Sequence, residues 1–357
     1  MPPISSPRVP GPLVIGHRGA PGYRPEHSRS GYEHAIAQGA DAVEPDLVPT
    51  RDGVLVIRHE NEIGGTTNIA DHPEFADRRT TKTIEGVEVT GWFTEDFDWA
   101  ELAVLRGRER LPELRPRSAA YDDEEPLLRF RDLLTVVEEA SVAQNRPITV
   151  VAELKHATYF DGAGLPLDEL LLRDLAAAGW DTPDSPLIIE SFEATILDRL
   201  RAAGVAAPLI YLLERRGAPA DLVARDGAEA ALYADALTDE GLAALAGRVA
   251  GISVDKALLI GRGAAGGQTA SDLVARAHAA GLLVFTWTLR PENTFLTGAF
   301  RRGEPQEFGD WRGEFGMIVD TGVDGVFADH PDLAVTVRAE RAAAAAETPA
   351  DPVPPTA

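Results

Sequence analysis

Short apolar runs alternate along this chain with stretches whose apolar residues recur every three or four positions. Leu13 to Gly16 is the first run. Ser28 caps a helical period that extends to about Gln38 and stops at Gly39. Asp41 to Thr50 reads as extended, Asp52-Gly53 as a tight turn, and Val54 to His59 as the returning strand. From Glu60 to about Glu125 the chain is polar, with apolar bursts and one or two helical turns between Thr94 and Leu105. A regular rhythm follows. Strands are predicted at Ile148 to Leu154, Leu187 to Ser191, Leu209 to Leu213, Ile252 to Asp255, Leu282 to Leu289 and Gly325 to Ala328. Between them, helices are predicted at Phe130 to Ala143, Leu167 to Ala178, Glu193 to Ala203, Pro219 to Ala246 and Ser271 to Ala280, with a last one from Leu333 to about Ala346.

Strands thus open at Leu13, Asp41, Ile148, Leu187, Leu209, Ile252, Leu282 and Gly325. Eight strands alternating with helices predict an α/β fold, a closed (β/α)8 TIM barrel. The polar stretch 60–125 is then a small inserted subdomain after the second strand. A structureless loop of that length would be exceptional, so it is expected to carry structure of its own. The barrel domain is expected over 13–337, with a flexible N-terminal segment at 1–12 and a helix end and disordered tail at 338–357. The rival is an open doubly wound sheet. Its dinucleotide loop is missing, because His17-Arg18-Gly19-Ala20-Pro21-Gly22 has the wrong spacing and no helix directly after it.

The formal net charge is −23, which argues against nucleic acid and anionic lipid as partners. There is no cysteine, so disulfides, thiolate catalysis and Cys-based zinc sites are excluded. No apolar run reaches the length of a membrane span, and residues 1–12 lack the apolar core of a signal peptide. A cytoplasmic location is expected for the chain as given, and a periplasmic or secreted one if a leader was removed. The expected partner is a small molecule, and nothing in the chain specifies an oligomeric state.

The chemistry-bearing residues cluster at strand ends. Glu44 and Asp46 are two apart in an extended segment, so both carboxylates face one side and repel unless a cation intervenes. Glu153 closes an apolar strand, at the barrel rim where active sites lie. Together these three make an all-oxygen set that suits a hard cation, Ca2+ or Mg2+. His17 and His59 both end apolar runs and can exchange protons near neutral pH. Zinc ligation by the two histidines is the competing reading, although the paired-His motifs of zinc hydrolases do not occur. Arg18 and Lys155 suit an anionic substrate, with surface ion pairing as their alternative. Trp287 is assigned equally to core packing and to substrate contact.

In order and spacing, His17-Arg18-Gly19, Pro25-Glu26-His27-Ser28, Glu44-x-Asp46, Asp52-Gly53 leading to His59, and Glu153-Leu154-Lys155 resemble the glycerophosphodiester phosphodiesterase family. So do Trp287-Thr288-Leu289-Arg290-Pro291-Glu292-Asn293 and the stretch from Asp324-Gly325-Val326 to Pro331. The 60–94 stretch resembles the bacterial GlpQ-type branch, much of which is periplasmic or secreted. The likeness spans about Leu13 to Asp332. It implies one divalent cation on Glu44, Asp46 and Glu153 (Ca2+ in this branch, with Mg2+ as alternative), general acid and base at His17 and His59, and phosphate held by Arg18 and Lys155. The implied reaction is hydrolysis of glycerophosphocholine, glycerophosphoethanolamine and similar diesters to sn-glycerol 3-phosphate and an alcohol. Two other classes stay open. One is a barrel phospholipase of the phosphoinositide or sphingomyelinase D kind, acting on intact lipid; the other is a non-catalytic glycerophosphodiester-binding protein.

Overall fold

Parallel pairing joins the eight expected strands edge to edge until the ring closes. The computed structural model describes residues 10–262 and 268–347. Residues 1–9 of the lead-in expected at 1–12, and residues 348–357 of the tail expected within 338–357, lie outside the described residues. In chain order the strands are β1 (Leu13–His17), β2 (Ala42–Glu44), β3 (Asp46–Pro49), β4 (Leu55–Ile57), β5 (Thr80–Ile84), β6 (Val87–Gly91), β7 (Thr149–Leu154), β8 (Leu187–Ser191), β9 (Leu209–Leu213), β10 (Gly251–Asp255), β11 (Ile260–Arg262), β12 (Gln268–Ala270), β13 (Leu283–Leu289) and β14 (Gly325–Ala328). The barrel runs β1, β2/β3, β7, β8, β9, β10, β13, β14 and returns to β1. Its second stave is one extended segment cut in two at Pro45, which has no N–H to offer the ladder. Both pieces still pair with β7.

Register and side-chain alternation together make a functional rim. Leu13, Ile15, Ala42, Val151, Ile188, Ile210, Phe285 and Phe327 fill the barrel interior. Two residues further along the same strands, the inward parity reaches His17, Glu44, Glu153, Glu190, Leu212, Trp287 and Asp329. The register aligns them: His17 is opposite Glu44, Asp46 opposite Glu153, and Glu153 opposite Glu190. Apolar floor and polar rim are therefore consecutive layers of one pattern. A larger apolar cluster between the staves and the surrounding helices carries the rest of the core.

Residues 60–125 fold over the C-terminal mouth. They contain 3-10 turns at Ile69–Asp71 and Pro73–Arg78, the β5–β6 hairpin, and short helices at Trp99–Leu102 and Pro116–Ala119. Their apolar bursts bury Ile63, Ile69, Phe93 and Phe97 fully, and Ile63, Ile69 and Phe97 join the main core. Two features depart from the hydrophobic pattern. Pro219 to Ala246 breaks into helices Ala220–Asp226, Tyr233–Ala236 and Asp239–Leu245, because Gly227 adopts φ +60° and Thr238 starts a new N-cap. A helix at Trp311–Val319 was not expected, since Gly313 and Gly316 lower its intrinsic propensity. Tertiary packing of Phe315 and Ile318 and an Asp310 cap supply what propensity lacks.

The opposite end is closed by a buried ion pair. Asp41, just before β2, accepts from the Val14 amide at 2.9 Å and pairs with Arg338 of the terminal helix, which also donates to the Pro12 carbonyl at 3.1 Å. Replacing Arg338 by Met leaves the Asp41 carboxylate buried without its cation. We expect a loss of about 3–5 kcal/mol in urea-unfolding free energy, and the double variant Asp41→Asn/Arg338→Met to recover part of it.

Candidate active site

At the mouth the rim residues face a cavity of about 410 Å³. Its floor is acidic. Oxygens of Glu44, Glu153 and Glu190 lie within 4.8 Å of one another, and all three residues are buried. Glu44 accepts from the Arg18 amide at 2.7 Å through Oε2, while its Oε1 has no hydrogen-bond partner. Glu190 Oε2 and Asp46 Oδ1 are likewise buried without one. Burial and mutual repulsion push the carboxyls of Glu44 and Glu190 well above the usual range. Glu153 is pushed up to about 8, chiefly by burial and against the opposing pull of Lys155. Buried carboxylates with orphaned oxygens converging on one point fit a hard divalent cation.

Asp46 stands apart within this group. His27 Nε2 approaches its Oδ2 at 2.9 Å, Arg18 Nε at 3.3 Å, and Lys155 Nζ reaches its Oδ1 at 3.8 Å. Although burial works against the charge, His59, Lys155, His27 and Arg18 hold this carboxylate well below the usual range. The expected set was Glu44, Asp46 and Glu153; the structure adds Glu190 to the convergence. The signal for it was present in the sequence, since Glu190 closes the apolar run of β8 just as Glu153 closes that of β7.

Two imidazoles flank the carboxylates, built alike. His17 Nδ1 lies 2.6 Å from Asp329 Oδ1, and the other Asp329 oxygen accepts from Arg115 and Arg290 at 2.7 Å each. His59 Nδ1 lies 2.5 Å from Glu60 Oε1, and Glu60 accepts from Arg110 at 2.6 and 3.1 Å. Burial opposes ionisation of both acids, but Arg290 and Arg115 hold Asp329 low, and His59 and Arg110 hold Glu60 low. Each ionised carboxylate can only accept, so the shared proton sits on Nδ1 and each Nε2 carries a lone pair. Burial, with Arg18 adding to it, brings His17 down to about 4; burial with Arg18 and Lys155 brings His59 down to about 3. Lys155 Nζ donates to Glu153 Oε1 at 2.7 Å and approaches His59 Nε2 at 3.3 Å.

Local backbone places these groups. Arg18 and Gly19 both take positive φ, +57° and +90°, turning the chain so that the Arg18 amide meets Glu44. A Cβ on Gly19 would stand 2.8 Å from the Gly31 carbonyl carbon, so that turn admits only glycine. Arg18 pairs with Glu26 at 3.2 Å and lines the cavity between the two histidines, as does Lys155. Trp287 is half-buried against Phe192, ring centroids 5.7 Å apart, and forms part of the cavity wall. Two groups had no individual sequence signal: Arg110 and Arg115, from the polar 60–125 stretch, where neither stands at the end of an apolar run. His27, from the Pro25-Glu26-His27-Ser28 motif, is buried between Asp46 and Tyr32.

The sequence profile of the Glycerophosphoryl diester phosphodiesterase family matches residues 17–333. Among curated proteins the chain is 30% identical to glycerophosphodiester phosphodiesterase GDPD6 of Arabidopsis thaliana over 330 residues, covering 89% of this chain and 83% of that protein. Among solved structures it resembles a glycerophosphodiester phosphodiesterase from Parabacteroides distasonis, with a TM-score of 0.57 at 17% identity over 93% of this chain and 98% of that one. It also resembles an Oleispira antarctica phosphodiesterase in complex with the product sn-glycerol-3-phosphate, with a TM-score of 0.57 at 18% identity over 92% and 96%. At these identities the structural likeness establishes the fold.

The paired clamps generate a prediction. In 15N-NMR of the imidazoles, both His17 and His59 should show the Nδ1–H tautomer at pH 7 and keep it on acidification to about pH 5, since each lowered pKa keeps the neutral form below neutrality. Asp329→Asn should mix the tautomers of His17 and leave those of His59 unchanged. Identical mixing at both rings would contradict separate clamps.

Proposed function

This chain belongs to the glycerophosphoryl diester phosphodiesterase family, and from that premise we propose a metal-dependent hydrolysis of glycerophosphodiesters such as glycerophosphocholine and glycerophosphoethanolamine. The products are sn-glycerol 3-phosphate and the free alcohol. One observation carries the reading. Two neutral imidazoles, each held through Nδ1 by an ionised carboxylate, line one cavity with a converging carboxylate group.

Glu44, Glu153 and Glu190 would hold the cation, with Asp46 beside them. The cation, Ca2+ or Mg2+, would neutralise charge on the phosphate oxygens. Arg18 and Lys155 line the same space and share that load. A neutral Nε2 on one side accepts the proton of the attacking hydroxyl, either water or the substrate's own glycerol hydroxyl. The ring on the other side, its proton favoured once the phosphate anion is seated beside it, gives that proton to the departing alkoxide. Asp329 and Glu60 keep both rings oriented and stabilise each imidazolium when it forms. Arg115, Arg290 and Arg110 keep those acids ionised, so neither takes up the proton it is meant to steer.

Release of sn-glycerol 3-phosphate from glycerophosphocholine, with Ca2+, with Mg2+ and with chelator, tests the reading directly. Chelator and Glu44→Ala should each abolish turnover. His17→Ala and His59→Ala should each lower kcat by roughly 10²- to 10⁴-fold. Activity that survives chelation would remove the metal from the mechanism.

Calorimetry of metal binding supplies an independent check. The raised carboxyls of Glu44, Glu153 and Glu190 retain protons that a cation must displace, so binding near pH 7 should release protons, seen as a buffer-dependent enthalpy. Glu190→Gln should weaken Ca2+ binding at least about tenfold and reduce the proton release. Unchanged affinity would place Glu190 outside the ligand set.

A further inference from the structure

Glu26 belongs to neither the acid–base pairs nor the converging carboxylates, yet it is buried and both of its oxygens are engaged. It lies between β1 and the helix Arg29–Ala37. Its Oε2 accepts from Arg18 Nη1 at 3.2 Å and from Arg110 Nε at 2.7 Å. Its Oε1 accepts from Arg110 Nη2 at 2.7 Å. The backbone is fixed as well. The Glu26 carbonyl accepts from Arg58 Nη2 at 2.8 Å, and the His27 amide donates to the Arg18 carbonyl at 2.9 Å. Burial works against the charge of Glu26, but Arg18 and Arg110 hold its carboxyl well below the usual range. Arg110 has a second edge: Nη1 and Nη2 donate to Glu60 at 3.1 and 2.6 Å, and Glu60 orients His59. One guanidinium from the insertion therefore sits between two carboxylates and is bidentate toward each.

Arg18, Glu26, Arg110, Glu60 and His59 thus form an unbroken line of contacts. Arg18 and His59, at its ends, face the cavity, whereas Arg110 does not. Arg18 Nε lies 3.3 Å from Asp46 without a hydrogen bond, so the hydrogen bond to Glu26 is what directs the fork. A guanidinium grips an anion well only when its plane is already aimed. We propose that Glu26 is a positioning residue: it aims Arg18 into the cavity and, through Arg110, steadies the Glu60–His59 pair, so that anion binding and proton handling share one support. This rests on the phosphodiesterase reading and adds to it a residue that touches neither substrate nor cation. Only a carboxylate fits the place. An amide would offer one acceptor oxygen where two are used and would turn its own N–H groups toward a guanidinium.

The test reads each variant at the far end of the line. Arg110→Met, at a partly exposed side chain of the insertion, should raise KM for glycerophosphocholine severalfold, an effect that can reach Arg18 only through Glu26. Glu26→Gln should mix the Nδ1–H and Nε2–H tautomers of His59 in 15N-NMR, an effect that can reach the ring only through Arg110 and Glu60, and should leave His17 unmixed. It should also raise KM roughly tenfold, since Arg18 loses its acceptor. Unchanged KM in Arg110→Met, or unmixed His59 tautomers in Glu26→Gln, overturns the shared support. So does a fall in thermal stability with KM and tautomers as in wild type, which would leave Glu26 a packing residue. Should Glu26→Gln fail to fold, KM of Arg110→Met decides. Absence of turnover by the wild type overturns the phosphodiesterase reading; the tautomers, which need no substrate, then decide for or against Glu26 by themselves.

Discussion

Everything at the mouth of this barrel depends on the burial of carboxylates that face one another. Glu44, Glu153 and Glu190 place their oxygens within 4.8 Å on the inward parity of three neighbouring staves. Like charges so close in a poorly solvated space cannot all ionise unaided. Protons, a lysine ammonium and a divalent cation are the means of compensation. Burial pushes the acids up, and Lys155 pairs with Glu153 at 2.7 Å. The same unmet charge is what fits the site to the divalent cation proposed for it.

The histidines are organised by the opposite principle. Their carboxylates are paired with guanidinium: Asp329 with two arginines, and Glu60 with one that it shares with Glu26. An acid kept firmly ionised cannot take the proton from the imidazole it orients, so each ring keeps one tautomer. The inserted segment supplies Arg110 and Arg115, and so sets the charge beside both rings as well as covering the mouth. It also brings Glu85 to the rim of the same cavity, beside His156.

How much of this could be read in advance follows from how local each determinant is. The eight staves were legible because each is a short apolar run bounded by turn or cap residues, and the barrel followed from their alternation with helices. His17, Arg18, Glu44, Asp46, His59, Glu153, Lys155 and Trp287 were legible because each ends or interrupts such a run. The helix Trp311–Val319 was not, because its glycines conceal it until Phe315 and Ile318 find a core to pack on.

The sequence by itself determined the strand–helix order, the parity that turns certain side chains inward, and the acidic and imidazole character of one rim. Those are properties of neighbours along the chain, set by side-chain alternation and local turn chemistry. Tertiary structure decided which charges meet. Arg115 lies 214 residues from Asp329, and Asp329 lies 312 from His17. Glu190 joins Glu153 only because β7 and β8 pair in one register. A charged residue in a polar stretch looks the same whether it is solvated or clamps a buried carboxylate; the closed barrel and the insertion folded across it make that distinction.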